Sequence, residues 1–407
     1  MTQENAQRRL KSWIDAFVEY TDGLPTPEIY RRWGAINALA GLLERRVWVK
    51  TAGREAYPNL YTLLVGPPGV GKSEVLREVS RIWKSVKDLP SGRKLHVAPD
   101  NMTKAALIKT LSKASTRLVL SEIDLVEYHS LLVVSSEFSV FLPTYDTTFM
   151  SVLTDLYDCR DDYTEERIST GESFIPNPQL HLIGGTTPGF MASTFPEQAW
   201  TMGFSSRLIL IYCEEPVRVS LFHGNSRPEN LWANLVHDAK SIAGLYGQLE
   251  WLPEAAALLE AWDESGRKPV PTHPKLATYN TRRILQVIKL VIIAAISRSN
   301  EMKVREEDVT TALAWLIEAE QHMPSIFKEM NSGGGGTSSL LLDLHHWALG
   351  VAAKTGPIRE GRLINYVSQK VQYPSQVLPI LQLAVKNGMF EISGPDEARL
   401  WTPKGGQ

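Results

Sequence analysis

The sequence predicts an α/β protein with a parallel sheet, a helical flanking domain and a C-terminal winged helix-turn-helix. Apolar strand-like runs alternate with helical stretches up to residue 215, and this alternation is typical of a parallel sheet. From residue 216 onwards the apolar periodicity is helical. The predicted domains are an N-terminal helical segment (1–52), an α/β core (53–215), a helical lid-like domain (216–330), a Gly/Ser linker (331–339) and a winged-helix domain (340–407).

Composition sets limits on what the chain can do. Its 407 residues allow several cores, and a formal net charge of −2 means that any contact with nucleic acid must come from local basic patches. Cys159 and Cys213 lie far apart without metal-type spacing, so we expect reduced thiols in a cytoplasmic protein. The longest apolar run, Leu290 to Ile296, is too short to cross a bilayer, and the polar N-terminus lacks a signal-peptide core. We therefore expect no membrane partner.

One stretch carries most of the functional information. An apolar run from Tyr61 to Val65 predicts a buried strand, and residues 74 to 84 predict a helix. The loop between them has the form G-x-x-x-x-G-K-S, in which backbone N–H groups at a helix N-terminus favour phosphate oxygens. We expect Lys72 to reach the β- and γ-phosphates of ATP and the Ser73 hydroxyl to bind Mg²⁺. The alternative is a chance match in a glycine-rich turn. The predicted nucleotide-binding residues here are Gly66, Pro67, Pro68, Gly69, Val70, Gly71, Lys72, Ser73 and Glu74.

Hydrolysis of a bound triphosphate also requires a carboxylate that orients water near Mg²⁺. Two apolar runs end in Ser-Glu, which makes Glu137 and Glu122 the candidates. We favour Glu137 because its run is longer and more strand-like, although an ordinary surface glutamate also fits the pattern. The usual pair at such a strand end is Asp-Glu, and Ser136 stands in the Asp position. This difference predicts a weaker Mg²⁺ site and slower turnover.

Further polar residues follow the later predicted strands. Thr186 and Thr187 end a buried run, where a hydroxyl can hold the attacking water or the γ-phosphate, or can simply satisfy the turn before Pro188. Arg207 precedes an apolar strand, and an exposed arginine there can act on the nucleotide of a neighbouring subunit or form a surface salt bridge. Arg282 and Arg283 begin an apolar helix, and one of them can fold back onto the phosphates.

Two outlying elements have open roles. Residues 163–175 predict a hairpin that either projects into a central pore, with Arg167 as its basic residue, or lies on the surface. The third helix of the winged-helix domain offers Gln376, Gln382 and Lys386, which is a thin set for reading the DNA major groove. Winged helices also dock proteins, so both DNA and a protein partner are open for this domain.

Together these motifs resemble an AAA+ ATPase, and more narrowly the ATPase domain of phage- and mobile-element replicative helicases related to the MCM helicases. The resemblance implies a ring, with a hexamer expected, in which Lys72, Ser73 and Glu137 act from one subunit and Arg207 from the next. The sequence differs from the family pattern at Ser136, and we find in it neither the primase domain nor the zinc-type cysteine cluster of longer relatives. The narrower resemblance is carried by residues 57–61, 153–158, 185–188 and 203–207 and by the C-terminal domain.

Two functions follow from the resemblance. The first is an ATP-driven DNA helicase or translocase that replicates a phage or mobile element, with a replication protein as a possible partner of the winged helix. The second is a helicase loader or another ATP switch that assembles on DNA with little unwinding. DNA-stimulated hydrolysis with strand separation distinguishes the first from the second.

Overall fold

The computed structural model describes residues 8–86, 89, 93–99, 102–119, 125–144, 146–167, 171–195, 197–200, 203–220, 228–333, 337–371, 376–395 and 399–404. The chain divides into two compact units, Met1–Ile326 and Phe327–Gln407. The predicted segments 1–52 and 53–215 therefore lie in one compact unit, together with nearly all of 216–330.

The larger unit mixes helices and strands throughout. Its first part contains α1 (Trp13–Tyr20), α2 (Glu28–Leu43), β1 (Val47–Thr51), β2 (Arg54–Ala56), β3 (Tyr61–Val65), α3 (Lys72–Ser85), α4 (Lys104–Lys113), β4 (Ser115–Val119), β5 (Leu125–Ser135), α5 (Phe138–Phe141) and α6 (Thr147–Tyr157). The second part contains β6 (Asp162–Arg167), β7 (Gly171–Pro176), β8 (Pro178–Thr186), α7 (Pro188–Thr194), β9 (Leu208–Tyr212), α8 (Glu229–Ala243), β10 (Gly247–Trp251), α9 (Pro253–Glu264), α10 (Ala277–Arg298), β11 (Lys303–Val304) and most of α11 (Glu306–Gly333).

The central sheet has five strands in the order β4-β5-β8-β3-β9. Strands β5, β8, β3 and β9 run parallel, as predicted, so their carboxyl ends lie at one edge of the sheet. Every residue of β3, β8 and β9 is buried, which explains why these strands are apolar runs without alternation. The prediction of a mixed α/β protein with a parallel sheet is confirmed.

The other edge of this sheet differs from the prediction. Strand β4 pairs antiparallel with the first half of β5, and the run beginning at Leu118 is thus part of a hairpin. Val97 makes an isolated parallel bridge to Leu132 of β5. Hairpin pairing needs only local chain reversal, which explains how β4 occupies this edge beside β5.

A second sheet was not predicted. Strands β11, β10, β1 and β2 form it in that order, with Val47 opposite Gly247 in a parallel pair. The region 216–330 therefore contains strands as well as helices. A period-2 pattern in so short a strand as β10 is easily missed between two longer helices.

The N-terminal helices pack beside α3, the helix that follows the glycine-rich loop. The indole Nε1 of Trp83, on α3, donates a hydrogen bond to the carbonyl oxygen of Ala38, on α2, at 2.9 Å. Trp83 and most of α2 are fully buried, so this contact belongs to the core. The hairpin predicted at 163–175 is confirmed, since β6 and β7 pair antiparallel from Asp162–Pro176 to Arg167–Gly171.

The smaller unit contains three helices and a three-stranded antiparallel sheet in the order β12-β14-β13. Pro379 falls in the first turn of the third helix, where its missing N–H costs little. The predicted flexible linker is wrong at both ends, because 331–333 and 337–339 are helical; residues 334–336 lie outside the described part. The elements are α12 (Thr337–Thr355), β12 (Ile358–Arg359), α13 (Glu360–Ser368), α14 (Val377–Lys386), β13 (Phe390–Ser393) and β14 (Leu400–Pro403).

Among the described residues no helix combines the length and the apolar character needed to span a membrane. This finding agrees with the apolar run from Leu290 to Ile296, which occupies under half of α10 and is buried within the fold.

Candidate phosphate-binding site

The glycine-rich loop joins β3 to α3 at the carboxyl edge of the central sheet. Gly71 has a φ of 90°, a backbone conformation that residues with a side chain rarely adopt, and its Cα lies close to the Pro25 carbonyl. A Cβ on Gly66 would lie 2.3 Å from the Cys213 carbonyl oxygen, so only glycine fits there. Within the loop Val70 is buried and Pro68 is exposed.

Lys72 folds back over the loop. Its Nζ donates hydrogen bonds to the carbonyl oxygens of Gly66 at 2.7 Å and Pro67 at 2.8 Å. Burial lowers the pKa of Lys72, and the negative charge of Glu137 opposes that change. The next residue, Ser73, is exposed in the first turn of α3, and Glu74 pairs with Arg77. The lysine and the hydroxyl are therefore both at the mouth of the loop.

Glu137 lies at the same edge of the sheet. It directly follows β5 and Ser136, and Ser135 at the end of that strand pairs with Gly184 of β8. A Cβ on Gly185 would come within 2.8 Å of the Ser136 carbonyl oxygen and 3.6 Å of the Lys72 Cβ. The β5 end and the phosphate loop thus flank the same point of β8. Glu122, the competing candidate, lies outside the described residues.

The two threonines after β8 differ in their environment. Thr186 pairs with Val65, the last residue of β3, and its carbonyl accepts a hydrogen bond from the Gly66 N–H at 3.3 Å. The Thr186 hydroxyl is buried and has no hydrogen-bond partner among the residues that the structure describes. The Thr187 hydroxyl instead accepts from the Phe190 N–H at 3.3 Å and caps α7. The alternative role in the turn is therefore observed for Thr187, and Thr186 keeps an unused hydroxyl.

Arg207 is not exposed, contrary to the prediction. Only 3% of its surface is accessible. Its Nε and Nη2 donate to the two carboxylate oxygens of Asp158 at 3.2 and 2.5 Å, and its Nη1 donates to the Gly203 carbonyl at 2.7 Å. A buried guanidinium is tolerated because a carboxylate from the same chain neutralises it. The expected free arginine before β9 is thus an internal ion pair.

Arg282 and Arg283, which are adjacent on α10, have different environments. Arg283 is fully buried and binds both carboxylate oxygens of Glu320, at 2.7 and 2.6 Å. Further hydrogen bonds from its Nη1 and Nη2 reach the carbonyls of Arg267 and Pro269, so four of its five N–H donors are used within the described chain, and its phosphate contact stays a prediction. Arg282 also contacts Asp158, at 3.3 Å, but its side chain is 35% accessible.

The arginines at 207 and 282 lie at the opposite end of the sheet from the loop. Leu208 pairs with Tyr61 at the start of β3, so Arg207 lies about 16 Å from the level of Val65 along the strands. A cavity of about 1200 Å³ opens at this end and is lined by Tyr157, Asp158, Arg282 and Lys289 among others. Neither arginine therefore reaches the phosphate loop of its own chain.

Two residues at these sites were missed from the sequence. Asp158 is the shared partner of Arg207 and Arg282, and Tyr30 bridges the strands on either side of the phosphate loop. Both contacts join segments that are distant in the chain, and no local pattern marks them.

The loop edge brings together groups that can bind a magnesium–triphosphate complex: the Lys72 cation, the exposed Ser73 hydroxyl next to it, the Glu137 carboxylate and the buried Thr186 hydroxyl. The Thr186 hydroxyl in particular costs free energy without a partner, and an oxygen-rich ligand would supply one. The sequence matches no protein-family model. Nor does a search of curated proteins find a match.

Proposed function

We propose that this protein is an ATPase of the AAA+ class. The observation that carries the proposal is the convergence of Lys72, Glu137 and Thr186 at one edge of a sheet in which the phosphate-loop strand β3 lies between β8 and β9. Ligands of open parallel sheets bind outside the carboxyl ends of the strands, which is where these three side chains lie.

Each residue has a role in the proposal. The loop N–H groups and Lys72 hold the β- and γ-phosphates, Glu137 orients the attacking water and the Thr186 hydroxyl binds that water or the γ-phosphate. Ser73 would hold Mg²⁺, with Glu137 beside it, and the ion would neutralise charge that develops on the phosphates. Thr187 caps α7 and supports the position of Thr186 through the backbone.

A cation that completes the site comes from another subunit in this proposal, since Arg207 and Arg282 lie far from the loop of their own chain. This separation supports a ring oligomer, for which the family resemblance implies a hexamer. Arg282 is the better candidate for a contact with the neighbour, because about a third of its side chain is accessible and Arg207 is buried. Assembly would have to draw Arg282 away from Asp158.

Within that ring we propose DNA as the substrate that is moved, as in a helicase or translocase that replicates a phage or mobile element. The three helices and the hairpin of the C-terminal unit support a winged-helix module. The exposed face of α14 carries Leu378, Gln382, Leu383 and Lys386, and its two exposed leucines favour a protein partner over direct base readout.

A helicase loader or ATP switch is the second candidate, and Ser136 favours it. This exposed serine stands where a carboxylate would help to hold Mg²⁺, so slow hydrolysis follows. A switch needs ATP-dependent assembly but little turnover.

ATP hydrolysis measured with and without single-stranded DNA tests the proposal, with Glu137→Gln as the control. Turnover that DNA stimulates severalfold in the wild type and that Glu137→Gln abolishes is the result expected for a DNA motor. Slow turnover that DNA does not change would favour the helicase loader or ATP switch over the DNA motor. No hydrolysis and no ATP binding by the wild type would overturn both.

A further inference from the structure

We infer that Tyr30, on the N-terminal helix α2, is a positioning residue of the phosphate loop and sets how tightly the loop holds a nucleotide. The inference rests on the proposed function of the loop. It assigns to an N-terminal segment, far from the motif in sequence, a part in nucleotide binding.

The Tyr30 hydroxyl bridges the two strands that flank the loop entrance. It donates a hydrogen bond to the Val65 carbonyl oxygen at 2.6 Å and accepts one from the Cys213 N–H at 3.1 Å. The Cys213 carbonyl oxygen lies 3.0 Å away as a second acceptor. Tyr30 is fully buried, and this burial raises the pKa of its hydroxyl well above the ordinary value. The hydroxyl therefore stays neutral and keeps its proton for the bond to Val65.

These contacts fix the peptide group that begins the loop. The carbonyl of the Val65–Gly66 peptide is held by Tyr30, and its N–H donates to the Thr186 carbonyl at 3.3 Å. With both ends of the peptide bonded, the plane cannot rotate. The next carbonyl, that of Gly66, accepts from the Lys72 Nζ at 2.7 Å. The orientation set by Tyr30 is thus passed to the lysine through one peptide unit.

The same N-terminal segment also touches the other end of the loop. A Cβ placed on Gly71 would lie 2.1 Å from the Pro25 carbonyl oxygen and 2.8 Å from the Thr26 Cβ. The segment from Pro25 to Tyr30 thus contacts both Gly66 and Gly71, the two glycines of the motif that enclose its variable residues. A loop held at both ends loses less conformational entropy when phosphate binds.

Tyr61 provides a matched control within the same sheet. It is also fully buried, and its hydroxyl donates to a backbone carbonyl, that of Leu153, at 2.8 Å. Its bond lies away from the loop, because Tyr61 begins the strand that Val65 ends. Tyr30→Phe and Tyr61→Phe therefore remove the same group from equally buried sites, and only the first lies at the loop.

The experiment measures the affinity of the full chain for ATP and for ADP by calorimetry. Urea unfolding at the same temperature first verifies that every variant is folded. We expect Tyr30→Phe to weaken both nucleotides by about tenfold and to leave kcat at saturating ATP within about threefold, since Glu137 and Thr186 remain in place. Tyr61→Phe should bind as the wild type does.

The outcomes separate this inference from the proposed function. If the wild type binds ATP and Tyr30→Phe binds it equally well, the positioning role is wrong and the ATPase proposal stands. If both tyrosine variants weaken binding to the same extent, the effect is general loosening of the fold and the positioning role is also wrong. If the wild type itself binds no nucleotide, the proposed function fails first.

Discussion

The buried guanidinium of Arg207 forms an ion pair with the more exposed Asp158, with the Arg207 Nη2 2.5 Å from the Asp158 Oδ2. The two residues lie 49 positions apart in the chain and join the start of β9 to the end of α6. The pair turns a residue that was expected to reach a neighbouring subunit into an internal support. Arg282 binds the same carboxylate from the accessible side.

Replacing either arginine separates these roles. Arg207→Ala should lower the free energy of unfolding by about 2–4 kcal/mol, since it removes a buried side chain and its hydrogen bonds to Asp158 and to the Gly203 carbonyl. Arg282→Ala should lower it by less than about 1 kcal/mol, because that pair is partly exposed. Urea unfolding measures both changes. A stable Arg207→Ala protein would contradict the structural role of the pair.

Mixed assemblies test which arginine acts between subunits. Arg282→Ala should abolish turnover and leave ATP binding intact, and mixing it with Lys72→Ala subunits should restore part of the activity, because each supplies what the other lacks. Steady-state hydrolysis of the mixtures reports this. Restoration with Arg207→Ala and not with Arg282→Ala would return the role to Arg207.

The two adjacent threonines should respond in opposite ways. Thr186→Val removes a buried hydroxyl that has no partner, so stability should stay the same or rise, and turnover should fall about tenfold or more. Thr187→Ala removes the cap of α7 and should cost about 1 kcal/mol of stability with little change in turnover. Unfolding and hydrolysis measured on both variants decide the matter. Equal turnover in Thr186→Val and the wild type would exclude Thr186 from the site.

Ser136→Asp restores the carboxylate that the resemblance leads one to expect. The position is exposed, so the fold should accept the change. A second carboxylate beside Glu137 should tighten Mg²⁺ binding about tenfold and raise turnover at low Mg²⁺. Ser136→Ala serves as the control and should behave as the wild type. An Mg²⁺ titration of hydrolysis that is identical for Ser136→Asp and the wild type would place the metal elsewhere.

His181 gives the fold a defined pH dependence. Burial, with the charge of Lys289, lowers its pKa from 6.5 to about 3, so the folded state keeps the ring neutral where the unfolded chain binds a proton. The unfolded state then binds more protons between these two pH values, and stability falls as pH decreases from 6.5 towards 3. His181→Gln retains an acceptor for the Leu60 N–H and does not titrate.

Between pH 6.5 and pH 5 the wild type should therefore lose about 2 kcal/mol more of its unfolding free energy than His181→Gln does. Urea unfolding of both proteins at the two pH values measures the difference. Parallel losses in the two proteins would mean that His181 is not held neutral.

The sequence pattern predicted those strands, helices and hairpins that form between residues close together in the chain. The strand from Tyr61 to Val65 has the predicted bounds, α3 begins at the end of the motif, and the hairpin of β6 and β7 is within a residue of its predicted ends. Each depends on residues that are neighbours in the chain. The carboxyl ends of β5, β8 and β3 also meet as expected, because parallel strands leave little choice of edge.

Contacts between distant segments were not predictable in the same way. The pairing of β1 with β10 joins residues 47 and 247, and the burial of Arg207 depends on a carboxylate that its own neighbourhood does not contain. Arg283 likewise finds Glu320 on the next helix of the chain. From the sequence alone, a charged residue next to an apolar strand is predicted to be exposed, because the partner that would allow its burial is not known.

Calorimetric titration of ATP with Mg²⁺ into the wild type, Lys72→Ala and Lys84→Ala tests most directly whether the loop at 66–73 binds the nucleotide. Lys84 is exposed at the far end of the same helix and controls for the loss of a positive charge. We expect saturable binding to the wild type and to Lys84→Ala and loss of binding in Lys72→Ala. Equal binding by all three proteins would contradict the assignment of the loop at 66–73 as the nucleotide site.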